Sequence, residues 1–337
     1  MTAFSILNAA SPALQDWLQR NSTTRSFAAT TALIREGERI HSLTLLLSGE
    51  LTISTSTETN QAETLAVLNT GGLVGEMSWL EQRPAVANVT AMAGTTILEV
   101  PFDRLDLIQK QQPTAATELH QLIACKLAQQ IREQNAWIHR RSNDLAEQEP
   151  LRKVLVLFAA LEEQDVHRLA KLGRLERLAP GGCLLRQGEP VQSLYVILSG
   201  QAHIEVTLSG TKRVVGSSRR GELLGEMSLL LEEQRGAAAT IITDEGMELL
   251  NIPQESLKAA LDEDPALSCR FHRGLACMLS QRSRDQLVSH RLATMHQEAD
   301  RNSLDMLELR QLGDISRAAR HFDWLCRHLQ AGAAANR

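Results

Sequence analysis

The sequence has few aromatic residues, few cysteines and no long apolar run. Phenylalanine, tryptophan and tyrosine make up 3% of its 337 residues, with a single tyrosine. The five cysteines form no CxxC pair, which argues against zinc sites and a disulfide framework and fits reduced thiols. The longest apolar run, residues 154–161, is too short to span a bilayer, and the N-terminus has no signal peptide. We therefore expect a cytoplasmic protein with no membrane insertion.

Sequence motifs for catalysis are also missing. The ten histidines occur singly, without the HExxH or paired spacing of a metal site. There is no phosphate-binding Gly-rich loop and no Gly-x-Ser-x-Gly elbow. The net charge of −5 gives no overall attraction to nucleic acid, although residues 266–337 hold 11 arginines against 7 acidic residues. The sequence predicts a protein that is not an enzyme and has a basic C-terminal segment.

An internal repeat fixes the domain organisation. Residues 33–54 match residues 184–205, and the register continues for some 65 residues. Four landmarks keep it: Gly37 with Gly188 and Gly49 with Gly200 at an offset of 151, Gly75-Glu76 with Gly225-Glu226 at 150, and Pro101 with Pro253 at 152. The chain is therefore a tandem duplication.

Each copy has the pattern of short strands followed by helices. Runs such as 43–47 and 194–198 lie between Ser-Gly and Gly-Glu turns, which is typical of a sandwich or small barrel. Helices are predicted before each copy, at 12–19 and 151–171. Apolar residues recur every four positions in a helix after each copy: Leu119, Ile123, Leu127 and Ile131, then Leu267, Phe271, Leu275 and Leu279. The predicted division is a first domain with its C-helix at 1–140, a linker at 141–150, a second domain with its C-helix at 151–295 and a C-terminal helical segment at 296–337.

These motifs resemble the cyclic-nucleotide-binding domain family, over about residues 12–140 and 152–290. The resemblance rests on Leu-Ser-Gly turns at 47–49 and 198–200, on Arg-Glu-Gly-Glu at 35–38 with Arg-Gln-Gly-Glu at 186–189, and on Gly-Glu-Met-Ser in both copies. Kinase regulatory subunits and bacterial sensors of the catabolite-activator type are similar. The implied fold is mainly β with helices: two tandem jelly-roll barrels, each flanked by helices, plus a C-terminal helical hairpin.

The resemblance also implies a ligand site in each Gly-Glu-Met-Ser cassette. Glycine lets the backbone approach the ligand, the carboxylate accepts a hydrogen bond from the ribose 2′-hydroxyl, and amides at the start of a short helix attract the cyclic phosphate. The implied ligand is cyclic AMP, cyclic GMP or a cyclic dinucleotide, with no other cofactor. The candidate residues are Gly75, Glu76, Met77 and Ser78 in the first copy and Gly225, Glu226, Met227 and Ser228 in the second.

The phosphate-binding arginine of the family separates the two copies. It follows the glutamate by about nine residues, which in the first copy reaches Ala85, so that copy has lost it. In the second copy nine residues lead to Arg235, whereas counting back from Pro253 leads to Ala237. Both alternatives stay open. Arg83 is interpreted as an exposed loop charge. Because a charge-assisted hydrogen bond contributes roughly 1.5–3 kcal/mol, we expect the second copy to bind more tightly.

The helices suggest partners. The stripe on 119–138 packs on its own domain or pairs with a twin in a homodimer. A similar stripe follows in the second copy: Leu275, Met278, Leu279, Leu287, Leu292 and Met295. Residues 304–330 predict two helices broken at Gly313-Asp314. The chain ends soon afterwards, without room for a winged hairpin, so DNA binding is not expected.

The predicted function is a regulatory sensor that binds a cyclic nucleotide and signals to a protein effector. Two alternatives stay open: an interaction scaffold with degenerate pockets, and a transcription regulator with an atypical C-terminal DNA-binding element.

Overall fold

The computed structural model describes residues 5–56, 62–141, 153–208, 210–231, 236–294 and 309–335. The chain divides into two units, one made of residues 1–127 with 279–301 and the other of residues 128–278 with 302–337. Each unit contains one copy of the repeat. The divisions after residues 127 and 278 fall inside long helices, so each of these two helices contributes residues to both units.

The strands of the first copy pair antiparallel in two four-stranded sheets. Their orders are β1-β8-β3-β6 and β2-β7-β4-β5. Apolar side chains from both sheets meet in one core, which includes Phe27, Leu46 and Ile97 from the first and Leu51 and Val89 from the second. The strands are β1 (Thr23–Phe27), β2 (Thr31–Ile34), β3 (Ser42–Ser48), β4 (Leu51–Ser56), β5 (Ala62–Leu68), β6 (Leu73–Val74), β7 (Asn88–Ala91) and β8 (Thr95–Pro101).

The second copy uses longer strands in one six-stranded sheet. The predicted turn at Ser199-Gly200 is wrong here, because one strand passes through it. Gly200 has φ 88°, and the pairing with β14 shifts register on both sides of it, so the strand bends without ending. The strands are β9 (Arg174–Leu178), β10 (Cys183–Leu185), β11 (Ser193–Leu208), β12 (Thr211–Arg219), β13 (Leu223–Leu224) and β14 (Thr240–Pro253).

The predicted jelly-roll barrels are not closed in the part of the chain that the structure describes. The strand pairs there form open sheets in both copies. The strands that precede the cassettes, β6 and β13, are two residues long and pair only with β3 and β11. A two-residue strand cannot extend a hydrogen-bonded ladder around a barrel. In the first copy the two sheets instead share one apolar core, and in the second copy the strands form a single sheet.

The helices come before, between and after the strands. The predicted helix at 151–171 is two helices, because Glu162 caps the second one: its backbone N–H donates to Asp165 Oδ2 at 2.8 Å. The helices are α1 (Ile6–Ala9), α2 (Pro12–Arg20), α3 (Glu76–Glu81), α4 (Phe102–Gln111), α5 (Pro113–Arg141), α6 (Lys153–Ala160), α7 (Glu163–Leu172), α8 (Glu226–Leu230), α9 (Gln254–Glu263), α10 (Pro265–Thr294) and α11 (Leu309–Ala335).

The four-residue spacing predicted helices after each copy, which α5 and α10 confirm, and their stripes are buried within the chain, which was one of the two open alternatives. In α10, Leu275, Met278 and Leu279 are each 2% exposed or less. These three side chains are covered by the chain itself, so they are not open to a second copy. Leu287 is half-buried, and the side chains of Leu292 and Met295 lie outside the described residues. A homodimer through this helix stays a prediction.

The C-terminal segment is helical, but its predicted break is wrong. Helix α11 runs through Gly313-Asp314, because one glycine inside a helix costs only about 1 kcal/mol and packing farther along offsets it. Phe322 and Cys326 are buried, and α11 packs on α6 and α7 of the same unit. Within the described residues, every helix is too short or too polar to cross a membrane.

Candidate functional site

Both cassettes begin with a glycine in a left-handed backbone conformation. Gly75 has φ 93° and caps α3, and Gly225 has φ 89° and caps α8. A side chain would not fit at either position. A Cβ on Gly75 would lie 2.8 Å from the Ser42 carbonyl oxygen, and one on Gly225 would lie 2.3 Å from that of Ser193. Glycine is therefore required for the turn and for the close approach to the neighbouring strand.

The predicted site residues after each glycine lie on a short helix. Glu76 and Glu226 are 3% and 4% exposed. Ser78 and Ser228 are buried as well. Met77 is buried, whereas Met227 is half-buried. In each copy, the structure thus places a buried carboxylate beside the first amides of a helix, which are the amides without an intrahelical acceptor.

The carboxylate of the first cassette is held by a lysine. Lys126 Nζ lies 2.5 Å from Glu76 Oε1 and donates to the Leu73 carbonyl oxygen at 2.8 Å. The side chains of Lys126 and Glu76 are only 16% and 5% exposed. Lys126 was not among the predicted site residues. It precedes Leu127, which belongs to the apolar stripe of α5, and this position was the available sign that the lysine lies near the protein interior. The first cassette therefore contains an internal ion pair.

The second copy has a different residue at the corresponding helical position. Helices α5 and α10 begin at Pro113 and Pro265, an offset of 152, and this register pairs Lys126 with Met278. Met278 is 2% exposed and has no charge. A methionine cannot supply the ion pair that holds Glu76.

Backbone hydrogen bonds align the two copies at the position of the family's arginine. Ala85 exchanges two of them with residues 37–38, at 2.9 and 3.0 Å. Ala237 exchanges two with residues 188–189, both at 2.9 Å. The two alanines therefore occupy corresponding positions. Arg235 lies outside the described residues.

Side-chain hydrogen bonds three residues farther on confirm this alignment. The N–H of Glu36 donates to Asn88 Oδ1, and the N–H of Gln187 donates to Thr240 Oγ1, both at 3.0 Å. From the cassette glutamate to the aligned alanine there are nine residues in the first copy and eleven in the second. The second copy thus has two extra residues before Gly236.

A second buried ion pair lies at the far end of α3. Arg284 Nε donates to Glu81 Oε2 at 2.6 Å, and the Ser280 hydroxyl donates to Glu81 Oε1 at 2.5 Å. The Glu81 side chain is 0% exposed and that of Arg284 is 9%. Burial raises the pKa of the Glu81 carboxyl, and the charge of Arg284 opposes that rise. Burial disfavours the charged form of Arg284 as well, which lowers the pKa of its guanidinium.

This ion pair was not foreseen because its partners are far apart in sequence. Arg284 also donates to the Pro84 carbonyl oxygen at 3.2 Å, so α10 contacts the segment just before Ala85. Arg83, predicted to be an exposed loop charge, is half-buried, and its charge acts on Glu81 and Arg284.

Helix α11 contacts the rest of its unit through Arg317, Phe322, Asp323 and Trp324. Arg317 Nη2 donates to the Ala159 carbonyl oxygen at 2.9 Å. Arg220 packs over the ring of Phe322 at 5.2 Å and pairs with Asp323 at 3.3 Å. Trp324 stacks on His167, with ring centroids 3.8 Å apart. These contacts attach α11 to its own unit. Within the described residues, no group of three or more His, Cys, Asp or Glu side chains is arranged to hold a metal ion.

The chain is similar to one protein family and to several individual proteins. The sequence profile of the cyclic nucleotide-binding domain matches residues 24–112 and 175–264. The "Cyclic AMP receptor protein" of Thermus thermophilus is 32% identical over 159 residues, which cover 47% of this chain and 70% of that protein. The "cGMP-dependent protein kinase egl-4" of Caenorhabditis briggsae is 26% identical over 226 residues, 66% of this chain but 26% of the kinase.

A solved structure is similar as well. The regulatory domain of Toxoplasma gondii PKA, crystallised with cAMP, is 21% identical, with coverage of 75% of this chain and 86% of that chain and a TM-score of 0.30. The two profile matches, together with the receptor relative, identify the family. This chain belongs to the cyclic nucleotide-binding domain family and contains two such domains in tandem.

Proposed function

We propose that the chain is a non-enzymatic, cytoplasmic regulator whose second domain binds a cyclic nucleotide. The observations behind this choice are the buried Glu226, which follows the left-handed Gly225 at the start of α8, and the sequence nine residues after each cassette glutamate, which has Arg235 in the second copy and Ala85 in the first. Glu226 is then the acceptor for the ribose 2′-hydroxyl. Gly225 allows the close approach, and the backbone amides of Met227 and Ser228 face the phosphate.

The cation for the phosphate distinguishes the possible ligands. If Arg235 reaches the phosphate, a cyclic mononucleotide or cyclic dinucleotide is favoured, because a charge-assisted hydrogen bond contributes about 1.5–3 kcal/mol. The alignment instead puts Ala237 at the family's arginine position. With alanine at that position, the phosphate gains no charge-assisted hydrogen bond, so a nucleoside without the phosphate loses less binding free energy. The corresponding nucleoside is therefore included in the same test.

Signalling would use α10, which begins in the unit of the second domain and ends in the other unit. Ligand binding would shift a two-state equilibrium of this helix that a protein effector senses. The shift is limited by the ratio of the ligand's affinities for the two states. A homodimer through α10 is a further proposal, restricted to surfaces beyond the three buried residues described above.

The second candidate function is a scaffold with degenerate pockets. The aligned alanines favour it, because Ala85 and Ala237 both lack the charge that the family uses. A transcription regulator is the third alternative, and an electrophoretic shift of duplex DNA that weakens with salt would support it.

Thermal unfolding of the full chain tests the proposal, with cyclic AMP, cyclic GMP, a cyclic dinucleotide, adenosine and guanosine as ligands. A ligand at 100 times its Kd stabilises the folded state by about 2.7 kcal/mol, so a binding ligand raises the Tm clearly. We expect Glu226→Ala to abolish the rise. Glu248→Gln, a surface change in the same domain, is the control and should keep it. If none of the five ligands changes the Tm, the proposed ligand binding is wrong and the scaffold function is favoured.

A further inference from the structure

We infer that Lys126 occupies the ribose-hydroxyl site of the first domain and thereby excludes nucleotides from it. Lys126 would then be a specificity-determining residue, acting as a built-in occupant of the pocket. The inference rests on the proposed function in one respect only, namely that the glutamate after the cassette glycine is the ribose acceptor.

The geometry places the ammonium on the same turn that a ribose would use. Lys126 contacts the Glu76 carboxylate at 2.5 Å and the Leu73 carbonyl oxygen, two residues before Gly75, at 2.8 Å. Lys126 is itself part of helix α5. Its neighbours on that helix, Ile123 and Leu127, are both 0% exposed, so packing holds the backbone of the lysine in place. The ion pair is therefore part of the packed unit and differs in this from a pair between two mobile surface side chains.

A ribose hydroxyl is a weak competitor for this carboxylate. To accept the hydroxyl, Glu76 must release Lys126 and leave an ammonium at a position that is 16% exposed. Separating a buried ion pair costs more than one hydroxyl-to-carboxylate hydrogen bond gains. The pair therefore disfavours nucleotide binding even before the missing arginine is considered.

The two explanations for a silent first domain can be separated. Ala85 marks the lost phosphate contact, and Lys126 marks the occupied ribose contact. If Lys126 blocks the site, restoring the cation by Ala85→Arg alone is insufficient. The second domain supplies the natural replacement for the lysine, since Met278 stands at the corresponding position.

The experiment uses the full chain with Glu226→Ala, so that the second site does not contribute. On this background, Ala85→Arg is compared with Ala85→Arg/Lys126→Met by titration with fluorescent cyclic AMP. We expect the Lys126→Met change to tighten binding at least tenfold. Equal affinity with and without Lys126 would overturn the inference. The two variants can be compared even if the wild-type chain binds no nucleotide. A failure of this inference is therefore distinguishable from a failure of the proposed function.

A second readout distinguishes an occupied ribose site from a general effect on packing. Once Glu76 is released, the variant with Lys126→Met should bind cyclic AMP more tightly than 2′-deoxy cyclic AMP, and a further Glu76→Gln change should remove this preference. With Lys126 present, the two ligands should bind alike. Absence of a 2′-hydroxyl preference after Lys126→Met would also contradict the inference. If Lys126→Met does not fold, Lys126→Gln keeps the side-chain length without the charge and is tested in the same way.

Discussion

The two cassettes share a backbone and differ in the charges around it. Gly75 and Gly225 have nearly the same φ, and Ala85 and Ala237 make the same backbone hydrogen bonds. The short helix of the first copy, however, has an ion pair at each end. Steric demands on glycine have kept the geometry of the turn in both copies. The side chains around it differ: Lys126 pairs with Glu76 in the first copy, and Met278 stands at the position that corresponds to Lys126 in the second.

The largest expected effect comes from breaking the ion pair at the end of α3. Arg284→Met leaves Glu81 buried without its cation and should lower the free energy of unfolding by about 3–5 kcal/mol. In the second copy, Leu231 stands at the position of Glu81, five residues after the cassette glutamate. Urea denaturation measures the loss.

The control for this change removes both charges of the pair. In Glu81→Leu/Arg284→Met both charges are gone, and most of the lost stability should return, because two apolar residues replace the pair. A single Arg284→Met change that costs less than about 1 kcal/mol would show that Glu81 finds solvent or another partner.

The next largest effect compares the two cassette glycines. Alanine at either position adopts a strained φ, at a cost of about 1–3 kcal/mol. Gly225→Ala should cost more than Gly75→Ala, because its Cβ would lie 2.3 Å from a carbonyl oxygen rather than 2.8 Å. Gly188→Ala is the matched control: φ is 84°, but no atom lies within 4 Å of the added Cβ. Chemical denaturation of the three variants should rank them in this order.

Local sequence features predicted the repeat, the cassettes and the helices that carry the apolar stripes, because turn glycines and helical periodicity are local requirements. Contacts between distant residues were not predictable in this way. Lys126 meets Glu76 across 50 residues, and Arg284 meets Glu81 across 203. The continuous strand through Gly200 and the continuous helix through Gly313 were missed for a related reason. Glycine permits a break in both cases, but tertiary packing decides whether the chain takes it.

A smaller effect concerns equivalent histidines, His120 in the first copy and His272 in the second. His120 stacks on Trp79, with ring centroids 5.2 Å apart, whereas Leu229 stands at the Trp79 position in the second copy. Burial lowers the pKa of His272, while its contact with the Ser268 carbonyl oxygen at 2.8 Å and the charge of Asp262 oppose this.

The sign of the resulting pH dependence follows from the unfolded state. Below about pH 6.5 unfolded His272 gains a proton that the folded protein resists, so stability falls as the pH falls. The slope due to this residue is at most about 1.4 kcal/mol per pH unit. His272→Asn should reduce the loss between pH 6.5 and 5.5, as measured by urea denaturation at each pH. An unchanged slope would mean that His272 accepts the proton in the folded state.

The smallest expected effect is at two exposed cross-strand ion pairs. Arg25 pairs with Glu99 at 3.0 Å in the first copy, and Arg177 pairs with Glu248 at 2.8 Å in the second. Each contributes about 0–1 kcal/mol, because solvent screens both. Glu99→Gln and Glu248→Gln should therefore change the midpoint of urea denaturation only slightly.

The second pair should still show a distinct response to acid. Arg177 lowers the pKa of Glu248, and hydrogen bonds from Gln330 and Ser199 add to this. A depressed carboxyl pKa gives stability that is present above the unfolded pKa and is lost as the pH falls through the folded one. Glu248→Gln should remove that part of the acid sensitivity, measured from pH 6 to pH 3. If the acid response of Glu248→Gln matches that of the wild type, Arg177 and Glu248 are as loosely associated in solution as any other exposed pair.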